Sequence, residues 1–322
     1  MTAGIEFAGW AGTLVVVLLA VLRAATPVLY AGLGGLLSEL GGSINVALEG
    51  IMLVAAFAGV MGTVYPPAWL PPAWLPWWGA LCGLASALAL AGLLAFLHLA
   101  CGADLIVAGI ALNLLAAGLT VFLLVELTGD KGSTAGIATP ALPSLHIGGL
   151  QDWPLLDLLV NGEGRRGQHV LLLGAPVCAA LLWAVLVHTR LGAWLRAAGE
   201  NPAAAHAAGI PVARMRWLAL LGSGLLAGLG GLYLSMGYLT LFQADMTAGR
   251  GFLGLAAVFL GRRSLAGTVL AALLFGAVAV AANRLGATAL PPQLVYMLPP
   301  AITVLALALS GRRRSLQTKD LS

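Results

Sequence analysis

Long apolar segments separated by short polar connections fill most of the chain. A helix that crosses a membrane needs roughly 20 mainly apolar residues. The pattern therefore predicts an all-α polytopic membrane protein with about nine transmembrane helices (8–10), some of them broken. An alternative to the first two spans treats 11–38 as one kinked span and 46–64 as the next, which keeps the count. The candidate spans are 8–22, 26–64 (long and interrupted), 78–100, 104–127, 169–188, 216–238, 243–260, 265–284 and 291–309.

The composition supports the same class of protein. Of the 322 residues, 60% are hydrophobic and only 9% are charged, whereas soluble domains carry about 25% charged residues. The simplest organisation is a single transmembrane domain that covers residues 1–322. The cysteines and histidines are scattered singly and lack the spacing of a metal or redox site. We therefore expect no metal centre.

The sixteen lysine and arginine residues predict the orientation in the membrane, because such residues concentrate in cytoplasmic loops. Ten of them lie on one side of the predicted spans, and three lie on the other. We predict that the loop 189–215 and the tail 311–322 are cytoplasmic, and that the N-terminus and the loop 129–168 are external. The ten are Arg190, Arg196, Arg214, Arg216, Arg262, Arg263, Arg312, Arg313, Arg314 and Lys319.

The stretch GGSINVALEG places Asn45 and Glu49 between two apolar segments. No lysine or arginine occurs between Arg23 and Lys131, which argues against a cytoplasmic loop. Irregular backbone is tolerated at membrane depth where it lines a cavity, and an ionisable group there indicates a function. We therefore predict a helix break at which Asn45 and Glu49 face a water-filled path. The alternative is a simple helix cap, with Glu49 near a helix N-terminus.

A second stretch has the same form. EGIMLVAAF at 49–57 and RGFLGLAAVF at 250–259 each begin with a charged residue and glycine and then become apolar. On the assignment above, the first helix runs outward and the second inward. That arrangement is typical of an inverted-topology repeat, in which broken helices meet at a central site. Arg250 at a helix start is unfavourable for the helix dipole, so we expect a carboxylate or a backbone carbonyl as its partner.

Asn113 is the one strongly polar side chain in the segment IVAGIALNLLAAGLTVFLL. An amide in a membrane helix can hydrogen-bond to a neighbouring helix, or it can line a path. The two interpretations are equally compatible with the sequence. Asn113 therefore joins Asn45, Glu49 and Arg250 as a candidate path residue.

Four motifs occur in a fixed order: GGSINVALEGIMLVAAFAG, LIVAGIALNLLAAGLT, LGAWLRAAGENPAAAHAAGIPVARMRW, and SGLLAGLGGLYLS followed by AGRGFLGLAAVFLG. Together they resemble the permease subunits of bacterial ATP-binding-cassette (ABC) importers for nucleosides and simple sugars, over roughly residues 28–310. Branched-chain amino-acid permeases are related, but they typically carry a histidine–glycine pair where this chain has Glu49 and Gly50. The resemblance favours nucleosides, with a branched-chain amino-acid permease as the alternative.

The resemblance implies several partners. They are a second, similar permease, two cytoplasmic ATPase domains that bind ATP and magnesium, and an external substrate-binding lipoprotein. It also implies a place in the lipid of the bacterial cytoplasmic membrane and no nucleic acid. A phosphate-binding loop needs glycine directly before its lysine, but Lys131 follows Asp130 and Lys319 follows Thr318. We therefore expect a chain that holds no cofactor and is not itself an enzyme.

The segment LRAAGENPAAAHAAGI at 195–210 lies in the largest predicted cytoplasmic loop. Asn201-Pro202 indicates a helix boundary, and Gly209 ends the alanine-rich run that follows. The segment therefore predicts two short helices joined by a turn. The resemblance implies that they are coupling helices, which dock on the ATPase. The candidate coupling residues are Arg196, Glu200, Asn201, Pro202 and Gly209.

Two functions of other classes stay open. A stand-alone secondary transporter would use Glu49 as a proton-coupling carboxylate, and the ATP dependence of uptake separates it from an ABC permease. A membrane enzyme is the weaker alternative, because no Ser/His/Asp cluster, zinc spacing or close carboxylate pair occurs on the predicted spans.

The predicted orientation can be tested with topology reporters. A reporter fused after Arg314 should report a cytoplasmic location, and one inserted within 145–165 an external location, because the basic residues divide ten to three between the two sides. Paired alkaline phosphatase and fluorescent-protein fusions measure this. Opposite results at both positions would overturn the orientation of the whole chain.

Overall fold

A computed structural model describes residues 10–286, apart from 138, 147, 150–160 and 162–166. The described part is helical except for its connections and one pair of two-residue strands. A 3₁₀ turn, Pro72–Trp74, precedes the helix Leu75–Leu99, and a π-helical stretch, Tyr233–Tyr238, extends the helix Val212–Leu232. The α-helices are α1 Trp10–Leu40, α2 Leu48–Val64, α3 Leu75–Leu99, α4 Leu105–Thr128, α5 Val170–His188, α6 Arg190–Glu200, α7 Pro202–Ala207, α8 Val212–Leu232, α9 Arg250–Leu260 and α10 Leu265–Gly286.

In the described part of the chain, six helices are long and apolar enough to cross a membrane. Two more, α2 and α9, are apolar but have only 17 and 11 residues. The prediction of an all-α polytopic membrane protein with broken helices is therefore confirmed. The predicted span 291–309 and the tail 311–322 lie outside the described residues. The six are Leu14–Leu40, Pro72–Leu99, Leu105–Thr128, Val170–His188, Val212–Tyr238 and Leu265–Arg284.

Helix α1 is continuous although Pro27 lies inside it. The prediction of a separate span over 8–22 is therefore wrong, and the alternative of one span over 11–38 is confirmed. Proline lacks the N–H that would bond to the carbonyl four residues earlier, which here belongs to Arg23. The hydroxyl of Tyr233 on the neighbouring helix donates to that carbonyl at 3.3 Å. A neighbouring side chain thus supplies the missing donor, as membrane helices with proline require.

The predicted break in GGSINVALEG is observed. Helix α1 ends at Leu40, and α2 begins at Leu48 after a short irregular segment. Gly42 turns the chain with a φ of +76°, a left-handed value that glycine adopts without strain. The second span of the alternative assignment, 46–64, is therefore confirmed within two residues at its start.

The predicted span 243–260 is wrong as a single helix. Residues 239–249 are irregular, and Asp245 and Ala248 have φ values of +57° and +45°. Only α9 is helical, and its 11 residues reach about 16 Å, roughly half of a hydrocarbon core of about 30 Å. The sequence pattern missed this because apolar residues on both sides mask the polar segment between them.

The two short helices pack deep in the bundle. Helix α2 packs against α3, α4 and α8, while α9 packs against α1 and α10. A Cβ at Gly231 of α8 would overlap the Met52 carbonyl of α2, and one at Gly254 of α9 would lie 2.5 Å from the Ala31 Cβ of α1. Small residues at these positions let membrane helices approach closely. Both broken helices are therefore fixed along their length by longer ones.

The described part of the predicted external loop covers the π-helical end of α8. Thr134 and Phe242 exchange two hydrogen bonds of 2.9 Å, one from each backbone N–H. Strand β1, Ser144–Leu145, pairs antiparallel with β2, Gln168–His169. The Thr134–Phe242 bonds hold the loop against the segment that leads from α8 to α9, and the strand pair joins two parts of the loop to each other.

Candidate functional site

The helix break at 41–50 meets the start of α9 at 245–251, and we call this meeting point the junction. Glu49 Oε1 accepts a hydrogen bond from Gly249 N at 2.7 Å, and Glu49 Oε2 accepts one from Gly251 N at 2.6 Å. The first N–H groups of a helix lack partners within the helix, and its N-terminus carries partial positive charge. The Glu49 carboxylate therefore caps α9. The expected meeting of the two broken helices is confirmed, while their symmetry as an inverted repeat stays a prediction.

Glycines allow the two helix starts to approach. Gly249, the N-cap of α9, has a φ of +79°, in the region that favours glycine. A Cβ at Gly251 would lie 2.5 Å from the backbone nitrogen of Glu49. Both carboxylate bonds are charge-assisted and short, which makes them stronger than bonds between neutral groups.

Asn113 on α4 holds the start of α2. Its Oδ1 accepts a hydrogen bond from Gly50 N at 2.7 Å, and its Nδ2 donates to the Val46 carbonyl at 2.9 Å. One side chain thus satisfies a free N–H inside the first turn and a free carbonyl before it. The contacts match the interhelical interpretation of Asn113, and its role in a path stays a prediction.

Asn45 is fully buried, with 0% of its surface exposed. Its Nδ2 donates to Ser223 Oγ on α8 at 2.9 Å, its Oδ1 accepts from Ala47 N at 3.0 Å, and its backbone N donates to Ser38 Oγ at 3.2 Å. In this structure the Asn45 side chain therefore lies inside the protein, and its place on a water-filled path stays a prediction. The amide joins the end of α1, the break and α8, because a buried amide needs every partner it can reach.

Arg250 has the backbone partners that the dipole argument required. Its Nη1 donates to the carbonyls of Met246 at 2.8 Å and Thr247 at 3.2 Å. The expectation of a carbonyl partner is confirmed. The structure therefore brings all four candidate path residues, Asn45, Glu49, Asn113 and Arg250, to one junction. Whether they line a translocation path stays a prediction.

The segment after α5 contains the two short helices that the sequence predicted, α6 and α7. Asn201 is the N-cap of α7 and accepts a hydrogen bond from Ala204 N at 3.0 Å, with Pro202 in the first helical position, where proline is favoured. Gly209 follows the end of α7 with a φ of +79°. Arg196 donates to the Leu186 carbonyl near the end of α5 at 2.9 Å, and Glu200 is exposed.

Helix α6 touches the helix break directly. A Cβ at Gly199 would overlap the Leu40 carbonyl and lie 2.9 Å from Gly42 N. The backbone of α6 therefore lies against the turn at which α1 ends. This contact connects the predicted coupling segment to the junction without any intervening side chain.

Sequence reasoning missed the serines of the junction. Ser38 and Ser223 are both fully buried, and both bind Asn45. A serine inside an apolar helix commonly bonds to a neighbouring helix, so its position was a usable signal. Its partner was not predictable, because Asn45 and Ser223 are 178 residues apart in the chain.

Residues 17–307 match the family described as the permease component of branched-chain amino acid transport systems. The chain belongs to this family. The permease is similar to the nucleoside ABC transporter permease protein NupC of Lactococcus lactis, at 33% identity over 301 residues and 92% of each chain. It is also 33% identical to the guanosine ABC transporter permease protein NupQ of Bacillus subtilis, over 89% of each chain. These relatives are transport components, in agreement with the expectation that the permease is not an enzyme.

The fold has a solved counterpart. A metal-chelate type ABC transporter in an inward-facing conformation aligns with a TM-score of 0.53 and 19% identity, over 95% of the permease and 92% of that chain. At this identity the likeness concerns the fold alone. The permease therefore has the fold of an ABC transporter membrane subunit.

The Glu49 cap can be tested by substitution. Glu49→Gln keeps one oxygen, which can accept from only one of the two backbone N–H groups, Gly249 N or Gly251 N. Its NH₂ group then faces the other N–H, which loses its acceptor. One buried N–H without a partner costs about 1–3 kcal/mol, so the purified protein should unfold at a lower temperature. Glu49→Leu removes both acceptors and should lower the unfolding temperature further. Glu126 is exposed on α4, so Glu126→Gln is the matched control. Equal unfolding temperatures for Glu49→Gln and Glu126→Gln would contradict the cap.

Proposed function

We propose that the permease imports nucleosides or related simple sugars across the bacterial cytoplasmic membrane, as the membrane subunit of an ATP-driven importer. The observation that carries the proposal is its 33% identity, over nearly the full length of both chains, to a nucleoside permease protein. The guanosine permease protein supports the same substrate class. A polar junction of helix ends inside an apolar bundle suits neutral ligands with many hydroxyl groups.

The proposed assembly contains more than this chain. The partners are a second, homologous permease, a cytoplasmic ABC ATPase that binds ATP and magnesium, and an external substrate-binding lipoprotein. The C-terminus and the segment of α6 and α7 face the ATPase. Apart from Leu195, Ala198, Ala205 and Gly192, most of this segment is solvent-accessible, which leaves a surface for a partner.

The proposed mechanism is alternating access. Closure of the ATPases moves α6, and the contact of Gly199 with Leu40 and Gly42 passes that movement to the helix break. The break carries Glu49, which holds α9 by two hydrogen bonds. A displacement of α6 therefore shifts α2 and α9 together, since packed elements with fixed contacts move as units.

The second candidate is a branched-chain amino-acid permease, and the description of the family favours it. The Glu49-Gly50 pair stands where branched-chain amino-acid permeases typically carry histidine and glycine, and this difference favours nucleosides. A proton-coupled transporter is less well supported, because both oxygens of Glu49 are occupied by backbone N–H groups of α9. A carboxylate with both oxygens bonded in this way caps the helix and has no oxygen left to take up a transported proton.

Uptake measurements test the function. Cells or proteoliposomes with the permease, its neighbouring ATPase and binding lipoprotein should accumulate radiolabelled guanosine only when ATP is supplied. Unlabelled nucleosides should compete, and leucine should not. Accumulation of radiolabelled leucine without accumulation of guanosine would establish the second candidate. Accumulation driven by a proton gradient in the absence of ATP would contradict the ABC mechanism.

Glu200 provides the cleanest test of coupling, because it is exposed and lies at the end of α6. Glu200→Ala should lower uptake by about tenfold, corresponding to about 1.4 kcal/mol of lost docking energy, while ATP hydrolysis continues. Arg196→Ala should have a similar effect but should also loosen α5, since Arg196 binds the Leu186 carbonyl. The exposed Glu126 again supplies the control, Glu126→Ala. Uptake by Glu200→Ala equal to that control would argue against docking at this segment.

A further inference from the structure

A cavity of about 380 Å³ lies where α1, the start of α5 and the π-helical end of α8 meet. Its polar wall consists of Arg23, Ser144, Gln168, His169, Tyr233 and Tyr238. Cavities that bind small molecules measure about 300–1,000 Å³ and combine apolar walls with a few polar groups. Arg23 lies about 25 Å along α1 from Leu40, at 1.5 Å per residue. The cavity is therefore separate from the junction, on the side that the basic residues predict to be external.

The cavity contains hydrogen-bond donors without sufficient acceptors. Gln168 is 4% exposed, and its Nε2 has no hydrogen-bond partner among the described residues. A buried donor without a partner is costly, which points to an acceptor that arrives from outside. Arg23 has five N–H donors, and its contact with Gln168 Oε1 is long, at 3.5 Å. Two adjacent side chains thus offer free donors to one space.

The remaining wall is neutral and aromatic. His169 accepts a hydrogen bond from Leu171 N at its Nδ1 and contacts the Met236 carbonyl at 3.1 Å through its Nε2. Burial lowers the pKa of His169, so the ring adds no positive charge at neutral pH. The rings of Tyr233 and Tyr238 stack at 6.4 Å between centroids. The cavity therefore offers donors beside flat apolar surface.

The charges of the wall decide the class of ligand. Among the lining residues that the structure describes, none is acidic, and Arg23 is the one cation. The ammonium group of an amino acid would find no carboxylate there. A nucleotide would bring two or more negative charges to a single guanidinium. A neutral heterocycle with adjacent acceptors avoids both penalties, and a guanidinium can donate to two adjacent acceptors on a base edge.

We propose, on the basis of the proposed function, that this cavity binds the base of a 6-oxopurine nucleoside during its entry. Arg23 donates to the adjacent base oxygen and ring nitrogen, the pair that arginine recognises in guanine. Gln168 Nε2 donates to a further acceptor of the nucleoside. The base lies against the tyrosine rings, and the cavity discriminates guanosine and inosine from cytidine.

The test measures specificity in the complete transporter, with guanosine and cytidine as the two substrates. A well-placed bidentate contact to a base is worth about 5- to 150-fold in discrimination. Arg23→Met and Gln168→Glu should therefore reduce the ratio of kcat/KM for guanosine to that for cytidine by at least about fivefold. Arg284 and Gln243 are exposed and lie outside the cavity, so Arg284→Met and Gln243→Glu are the matched controls. Loss of folded protein lowers transport of both substrates alike and leaves the ratio unchanged.

Tyr238→Ala is a second test variant. Tyr238 is 58% exposed, so we expect the variant to fold like the wild type. It should raise the KM for guanosine more than the KM for cytidine. The transporter could carry nucleosides while all three variants show the same kcat/KM ratios and KM values as the controls. That result would overturn the proposed nucleoside site and leave the proposed function intact. A wild-type transporter that carries no nucleoside would instead overturn the proposed function.

Discussion

Two hydrogen bonds from the start of α9 to the Glu49 carboxylate join the two broken helices. A helix that begins inside an apolar bundle has free N–H groups and no water to satisfy them. Glu49 satisfies two of these groups with a charge that the helix dipole favours. The neutral amide of Asn113 accepts from one N–H in the first turn of α2, so each broken helix is held at its start by a side chain of another helix.

The junction stands between two regions with different proposed roles. On one side, the backbone of α6 lies against Leu40 and Gly42 at the end of α1. On the other, α1 continues past Pro27 to Arg23, whose carbonyl binds Tyr233 of the cavity wall. A single helix therefore connects the proposed ATPase contact with the proposed nucleoside site. In the proposed importer, movement of α6 and occupancy of the cavity act on the same helix, α1.

Local features of the sequence predicted the break, the polar residues at it and the boundary at Asn201-Pro202, because each depends on residues close together in the chain. The half-helix α9 was not predictable in the same way, and the continuity of α1 was only one of two alternatives that the sequence left open. The first depends on contacts with Glu49, which is 200 residues away. The second depends on the hydroxyl of Tyr233, 210 residues from Arg23. The cavity was missed for the same reason, since its wall combines four segments that are separate in the sequence.

Hydrogen–deuterium exchange at the backbone amides of Gly249 and Gly251 tests the central role of Glu49 most directly. Hydrogen-bonded amides exchange slowly, and those freed by local opening exchange fast. In the purified wild-type permease, a peptide that spans 247–253 should be protected, and Glu49→Gln should speed its exchange while peptides of α10 stay unchanged. Exchange in 247–253 that is equally fast in the wild type and in Glu49→Gln would contradict the account.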